Sequence, residues 1–391
     1  MGKKFDMSRI LVLSISRRSG HQHAAMAVEN SLKTFYSEVE VLTQNFFDCI
    51  KSPYLEQMIN STYLSILKTT PEIWDYLYDN EKVAERISHL RNITTKQAAN
   101  KFHHVLQEIK PSAIVCTQAF PCEVYSSLKR DVGIRIPLVA VVTDFVANAY
   151  WIHPEVDLYT VPSEYTKQGL VESGVDPDKV KVLGIPIKPV FEKEYSNEER
   201  LKLKRELGFD SNLPIVLIMG GSQGLGPFRK MINILSHHNE KIQLVVITGL
   251  NTKMRRSLTW LKKSTKIPIH VFGYINNVHD LMSVSDILIS KPGGMTTTEA
   301  LAKNLPMIMV QPLPGQEEKN CQFLLEKKAA LRIDDMEDIT NVIRKLIHTP
   351  EMISELKYHM EKLVVKHSGQ LVADAIMAIT SNQEIPVFLE D

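Results

Sequence analysis

The stretch SRRSGHQHAAMA, residues 16–27, sets His21 and His23 directly behind the apolar run Ile10-Leu11-Val12-Leu13. A histidine just past a buried strand sits at the edge of a sheet, and an imidazole that titrates near neutrality suits removal of a proton from a hydroxyl. MGGSQGLGP, residues 219–227, likewise follows the run Ile215-Val216-Leu217-Ile218. Gly220, Gly221, Gly224 and Gly226 let the main chain approach a phosphate. Ser222 can donate its hydroxyl, Gln223 stands beside it, and the next helix start offers N–H groups to an anion. The turn lacks the lysine of a nucleoside triphosphatase loop and the downstream acid of a dinucleotide fingerprint. A tight turn with no ligand is its alternative.

SKPGGMTTTEALAKNLPMIMVQPLPGQEEKN, residues 290–320, carries more information. Gly293-Gly294 makes a turn after an apolar run, and Thr296, Thr297 and Thr298 bring hydroxyls to a helix start. Glu299 is expected in the first turn, placed to accept from a ribose diol. A threonine N-cap and a dipole-compensating acid explain some of these residues equally well. They do not explain the end of the next strand, where Gln316, Glu317 and Asn320 combine amide and carboxylate groups suited to sugar hydroxyls. In TDF, residues 143–145, Asp144 either caps a helix or faces the site. GYINNVHDLM, residues 273–282, offers its backbone at Tyr274 to frame a planar base.

Each of these motifs has to stand just after a strand, and the chain supplies the strands. Short apolar runs occur at 9–15, 38–43, 112–117, 136–143, 157–162 and 180–185, then at 214–220, 242–249, 268–274, 286–290, 306–311 and 329–333. Runs apolar on both faces fit central strands of parallel sheets covered by helices. The expectation is α/β: two Rossmann-like doubly wound domains, 1–195 and 196–391, with the junction near 188–213 and ligand in a cleft between them. Residues 44–107 are long for a crossover and aromatic, with Phe46, Phe47, Tyr54 and Trp74 among them. They read either as a helical insertion with its own core or as a substrate surface. GQLVADAIMAIT reads as a closing helix that packs back on the first domain.

The 391 residues are 44% apolar and 23% charged with a net charge of +1, the composition of a globular protein with no bulk pull toward nucleic acid. Cys49, Cys116, Cys122 and Cys321 form neither a metal-ligand spacing nor a disulfide framework, which fits a reducing compartment. The start has no signal-peptide pattern, and no window is apolar for long enough to span a membrane. No Asp-x-Asp pair stands in a suitable loop, so no metal and no cofactor is expected.

Taken in order, SGHQHAA, KPSAIVCTQAFP, VVTDF, WIHPEVDLYTVPSE, VLGIPIKPVF, MGGSQGLGP and the long segment 290–320 resemble the monogalactosyldiacylglycerol synthases and processive diacylglycerol glucosyltransferases. These are relatives of the peptidoglycan N-acetylglucosaminyltransferase. The resemblance implies the GT-B arrangement of two Rossmann-like domains, the first for a lipid acceptor and the second for a UDP-sugar donor. It implies His21, next to Gly20, as the base on the acceptor hydroxyl. Gly220, Gly221, Ser222 and Gln223 would meet the diphosphate. Pro292, Gly293, Gly294, Met295, Thr296, Thr297 and Thr298 would line the nucleotide, with Tyr274 beside the base and Glu299 on the ribose. Gln316, Glu317 and Asn320 would take the hexose, and Asp144 and Trp74 the acceptor side.

The chain departs from that family in reading Ser16-Arg17-Arg18-Ser19-Gly20 where the turn is usually glycine-rich, and in having Gln118 where a histidine is common. Arg17 and Arg18 either bind anionic headgroups or form a solvated turn. A diacylglycerol acceptor implies peripheral attachment to the cytoplasmic face of a membrane, with Phe46, Phe47, Tyr54, Trp74, Lys51, Lys68 and Arg91 as the expected contact types. A UDP-sugar epimerase, a peptidoglycan-type N-acetylglucosaminyltransferase and a noncatalytic UDP-sugar-binding protein are the rival readings.

Overall fold

A computed structural model describes residues 8–15, 18–55, 57, 81–237 and 240–381, without the side chains of 81–93 and Lys263. Arg17, Lys68, Trp74 and the side chain of Arg91 therefore lie outside the described residues. These residues form two units. The first runs to Lys188 and takes in Pro314–Gln316 and the chain from His367. The second comprises Pro189–Leu313 and Glu317–Lys366.

In the first unit six parallel strands, β1 (Arg9–Ser14), β2 (Glu40–Asn45), β3 (Ala113–Cys116), β4 (Leu138–Val141), β5 (Leu158–Val161) and β6 (Val180–Val182), lie in the order β2-β1-β3-β4-β5-β6. Their Val, Ile and Leu side chains feed cores on both faces of the sheet, as runs apolar on alternate and intervening positions require. The strand order reverses between β1 and β3, which is where doubly wound sheets open a crevice at their carboxyl ends.

Helix α1 (Gly20–Phe35) leaves that crevice. Ser19 caps it in an extended conformation, its Oγ accepting from Gln22 N at 3.3 Å. Its alanine-rich face is buried because α7 (Ser368–Ser381) lies against it, with Val372, Ala373 and Ile376 packed on Ala25, Val28 and Leu32. A Cβ at Gly369 would stand 2.5 Å from Ser31 Oγ, so the approach is close. On the other face Phe46 and Phe47 are 0% and 1% exposed, and Phe46 meets Phe102 edge-on at 5.3 Å. This corrects the expectation of these two rings as membrane contacts: they are core. Tyr54, at 75% exposure, and Lys51 do face solvent. Helix α2 (Ala119–Val132) follows β3.

In the second unit the strands are β7 (Ile215–Met219), β8 (Gln243–Ile247), β9 (Ile269–Phe272), β10 (Ile287–Ser290), β11 (Met307–Val310) and β12 (Leu331–Ile333), in the order β12-β11-β10-β7-β8-β9. All pair in parallel, and the order reverses between β7 and β10. Helix α3 (Asn197–Glu206) begins with a capping box between Ser196 and Glu199. It is tied to the sheet by Arg200, which reaches the carbonyls of Ser283, Val284 and Ser285 and pairs with Asp286 at 2.7 Å. Asp286 Oδ2 in turn accepts from Ile215 N at 2.7 Å, fixing the start of β7. The remaining helices used below are α4 (Thr252–Leu261), α5 (Gly294–Ala302) and α6 (Gln316–Glu326).

Candidate active site

The strand order of the first unit brings three carboxyl ends together. β1 leads to the turn before His21, β3 leads to Thr117 and β4 leads to Thr143. His21 Nδ1 lies 3.0 Å from Thr117 O and 2.9 Å from Thr143 Oγ1. A carbonyl only accepts, so Nδ1 carries the hydrogen and Nε2 keeps the lone pair. Thr117 is itself fixed, since its N–H donates to Leu13 O at 3.1 Å and its Oγ1 to His21 O at 2.9 Å.

Burial pushes the His21 pKa below its usual 6.5; the negative charge of Asp144 and the hydrogen bond to Thr117 act in the opposite direction. The imidazole is therefore neutral at pH 7, the form that accepts a proton. His23, two residues on, is also lowered by burial and by Lys188. Gly20 opens the helix. Arg18 takes a left-handed conformation with φ 55°, and its N–H meets Gln22 Oε1. Gln118 Oε1 accepts from Ile15 N at 3.3 Å, and Asn45 Nδ2 donates to Ile15 O at 2.9 Å, so the strand end feeding this turn is held from both sides.

Asp144 is half-buried after β4. Gln316 belongs to the first unit, where its Nε2 donates to Val146 O at 2.5 Å and its Oε1 accepts from Asn148 at 3.3 Å.

In the second unit four neighbouring strands, β11, β10, β7 and β8, end where the remaining motifs stand. After β7 the chain turns on itself, with Leu225 N donating to Gly220 O at 2.9 Å. The turn interlocks with the one after β8. A Cβ on Gly224, φ 59°, would lie 1.9 Å from Thr248 O, and one on Gly249, φ 53°, would lie 2.2 Å from Ser222 O. Leu250 N donates to Ser222 O at 2.8 Å and Asn251 Nδ2 to Gly224 O at 3.1 Å. Ser222 is half-buried, whereas Gly221 and Gln223 are exposed at the tip. The helix Phe228–Ser236 starts only after Pro227.

After β10, Gly293 caps α5 with no side-chain bond of its own. Thr297 N already reaches back to Gly293 O at 2.9 Å, so the N–H groups of Gly294, Met295 and Thr296 form the helix end. Thr298 Oγ1 donates to Gly294 O at 2.8 Å, while Thr297 Oγ1 is buried with no protein partner among the described residues. Since α5 begins at Gly294, Glu299 sits in its second turn rather than the expected first, and is 8% exposed.

Asn320 is fully buried, its Nδ2 donating to Pro292 O at 3.1 Å, which ties α6 to the loop after β10. Glu317 Oε2 accepts from Leu313 N at 2.7 Å and closes the turn entering α6. Tyr274, after the edge strand β9, is 38% exposed. Among the described residues no cluster of His, Cys, Asp and Glu could hold a metal ion, and no helix is long and apolar enough to cross a membrane.

Sequence reasoning missed Thr117, Thr143 and Gly249 as site-forming residues, and singled out Gln118 only as a departure from the family. Thr143 stood in the TDF motif, where its position at a strand end was the available signal.

Two family models match the chain: monogalactosyldiacylglycerol (MGDG) synthase over residues 21–187, and the glycosyltransferase family 28 C-terminal domain over 215–375. A processive diacylglycerol beta-glucosyltransferase of Bacillus pumilus is 31% identical over 381 residues, covering 96% of this chain and 97% of its own length. MurG of Acinetobacter baumannii shares the fold at a TM-score of 0.60 and 15% identity, with 95% of this chain and 99% of that one covered. A UDP-GlcNAc 2-epimerase from Neisseria meningitidis, bound to UDP-GlcNAc, does so at 0.59 and 15%, covering 95% and 100%.

Proposed function

The chain belongs to the family of monogalactosyldiacylglycerol synthases and processive diacylglycerol glucosyltransferases, and from that premise we propose that it is an inverting hexosyltransferase. It moves glucose or galactose from the UDP-sugar to a diacylglycerol-type lipid and so makes a glycolipid. The observation that carries the acceptor half is the pinned tautomer of His21: a neutral imidazole with its lone pair on Nε2 is a base ready to take the proton of a lipid hydroxyl. Gly20 and Asp144 flank it, and Asp144 stabilises the imidazolium that forms.

The donor half rests on the turns beyond β7 and β10. The backbone of Gly220, Gly221, Ser222 and Gln223 and the helix end at Gly294–Thr296 supply N–H groups to the diphosphate as charge builds on it. Pro292 to Thr298 line the nucleotide, Tyr274 frames the base, Glu299 takes the ribose, and Gln316 and Glu317 serve the hexose; Asn320, fully buried, holds the loop after β10 in place instead of touching the sugar as expected. In this reading dipoles carry the leaving-group charge, so transfer proceeds without a metal and persists in excess chelator. The acceptor lies in a bilayer, and the protein works as a peripheral protein on its cytoplasmic face.

The test is incubation with UDP-glucose, UDP-galactose and UDP-N-acetylglucosamine in turn, each with diacylglycerol in mixed micelles, followed by analysis of lipid and nucleotide products. A glycosylated lipid and UDP are expected. A changed UDP-sugar with no lipid product would instead make the protein an epimerase.

A further inference from the structure

Helix α4 and the turn after it carry a charge pattern unlike the rest of the chain. Residues 251–266 hold Lys253, Arg255, Arg256, Lys262, Lys263 and Lys266 with no Asp or Glu, in a protein whose Lys and Arg (46) and Asp and Glu (45) otherwise balance. Met254, Leu258 and Leu261, spaced at helical intervals, hold the inner face on the core of the second unit. Lys253, Arg255, Arg256, Lys262 and Lys266 are all exposed, and none makes an ion pair among the described residues.

Lys253, Arg256 and Trp260 fall at i, i+3 and i+7, a single outer stripe. Trp260 on that stripe is 72% exposed, whereas Trp151 is 2% exposed. A large indole left in water among uncompensated cations is poorly explained by folding alone. Both fit the boundary between headgroups and acyl chains, where tryptophan partitions and each basic residue gains from anionic lipid.

We propose that the outer face of α4, continued through Lys266, is a docking surface for an anionic bilayer. Trp260 enters the headgroup boundary and the lysines and arginines lie over the lipid phosphates. The occupant is a lipid surface rather than one bound phosphate, because the exposed cations are spread along the outer face of α4 and the turn after it. The proposal rests on the functional reading only in that a lipid acceptor gives the surface a purpose. It assigns bilayer contact to the donor-side unit.

The full-length protein is sedimented with vesicles of phosphatidylcholine, with and without phosphatidylglycerol, over a salt series. Each Lys or Arg near an anionic surface contributes roughly fivefold to partitioning, so the triple variant Lys253→Gln/Arg256→Gln/Lys262→Gln should bind anionic vesicles about a hundredfold more weakly. Wild-type binding should fall steeply with salt. In a Trp74→Phe background, anionic vesicles should shift the tryptophan emission to the blue, and Trp260→Phe should abolish that shift. Anionic-vesicle binding unchanged in the triple variant overturns the proposal. So does capture of the wild type by single-stranded DNA at a salt concentration where it has left the vesicles.

Circular dichroism establishes that the variants fold. Transfer to diacylglycerol in neutral detergent separates the two ideas: wild type and triple variant should turn over equally there. Absence of transfer by the wild type counts against the functional reading and not against the docking surface.

Discussion

A carbonyl oxygen chooses the tautomer of His21. Thr117 O cannot donate, so the proton is kept on Nδ1, and Thr143 Oγ1 shares it. His21→Ala should lower turnover by about 100-fold to 10,000-fold, the range for a lost general base, while His23→Ala should leave it nearly unchanged in the same lipid-product assay. The pH profile gives a sharper reading. Burial holds the His21 pKa below 6.5 and Asp144 opposes that shift, so the acid limb of kcat/KM should lie below pH 6.5. Asp144→Asn removes the opposing charge, lowers the pKa further and should move the limb to lower pH; an upward shift would contradict the assigned electrostatics. His21 and Asp144 were legible in the sequence because each follows an apolar run by a short interval. Thr117 and Thr143 were not, because their role depends on β3 and β4 lying beside β1, and strand order is a property of three dimensions that spacing along the chain does not encode.

At the scale of elements, each expected strand run corresponds to an observed strand; runs apolar on both faces, such as β1, β3, β7 and β8, have few places to go except the middle of a covered sheet. Helix starts were less legible. The glycine run between β7 and the helix at Phe228 reads as one phosphate turn, yet its glycines have different tasks. Gly224 is required by the neighbouring backbone: φ is 59° and a Cβ would fall 1.9 Å from Thr248 O. Gly293, before α5, has φ −70° and nothing within 4 Å of an added Cβ. Gly224→Ala should therefore destabilise the second unit by about 2 kcal/mol or more, since Ala at positive φ is unfavourable before any clash is counted. Gly293→Ala should stay within about 0.5 kcal/mol of wild type in urea unfolding. Equal losses would mean that the interlock with the β8 turn is not what fixes Gly224. The expectation of Phe46 and Phe47 as membrane contacts failed for a physical reason of the same kind: these two rings lie where β2 ends against the helix Glu81–Ile109, and core burial claims such rings before any interface can.

At the scale of the whole chain, the covalent order and the packing order differ. The chain leaves the first unit at Lys188 and contributes α7 to it again from His367. The contribution is a core element: Val372, Ala373 and Ile376 are each fully buried, Ser368 Oγ donates to Ile185 O at 2.9 Å, and Tyr36 OH donates to Asp374 at 2.7 Å. The face that receives them belongs to α1, whose first turn holds His21, so the stability of that helix depends on residues some 350 positions away in sequence. Ile376→Ala should cost the first unit about 3 kcal/mol, the usual range for emptying a well-packed aliphatic site. The two units have separate cores, so the loss should not be shared. Native-state hydrogen exchange should show faster opening at the β1 and β3 amides and unchanged protection at β7 and β10, and Ile308→Ala in the second unit should give the reverse pattern. Equal loosening of both sheets by either substitution would show that the units unfold together and that α7 stabilises more than the sheet it covers.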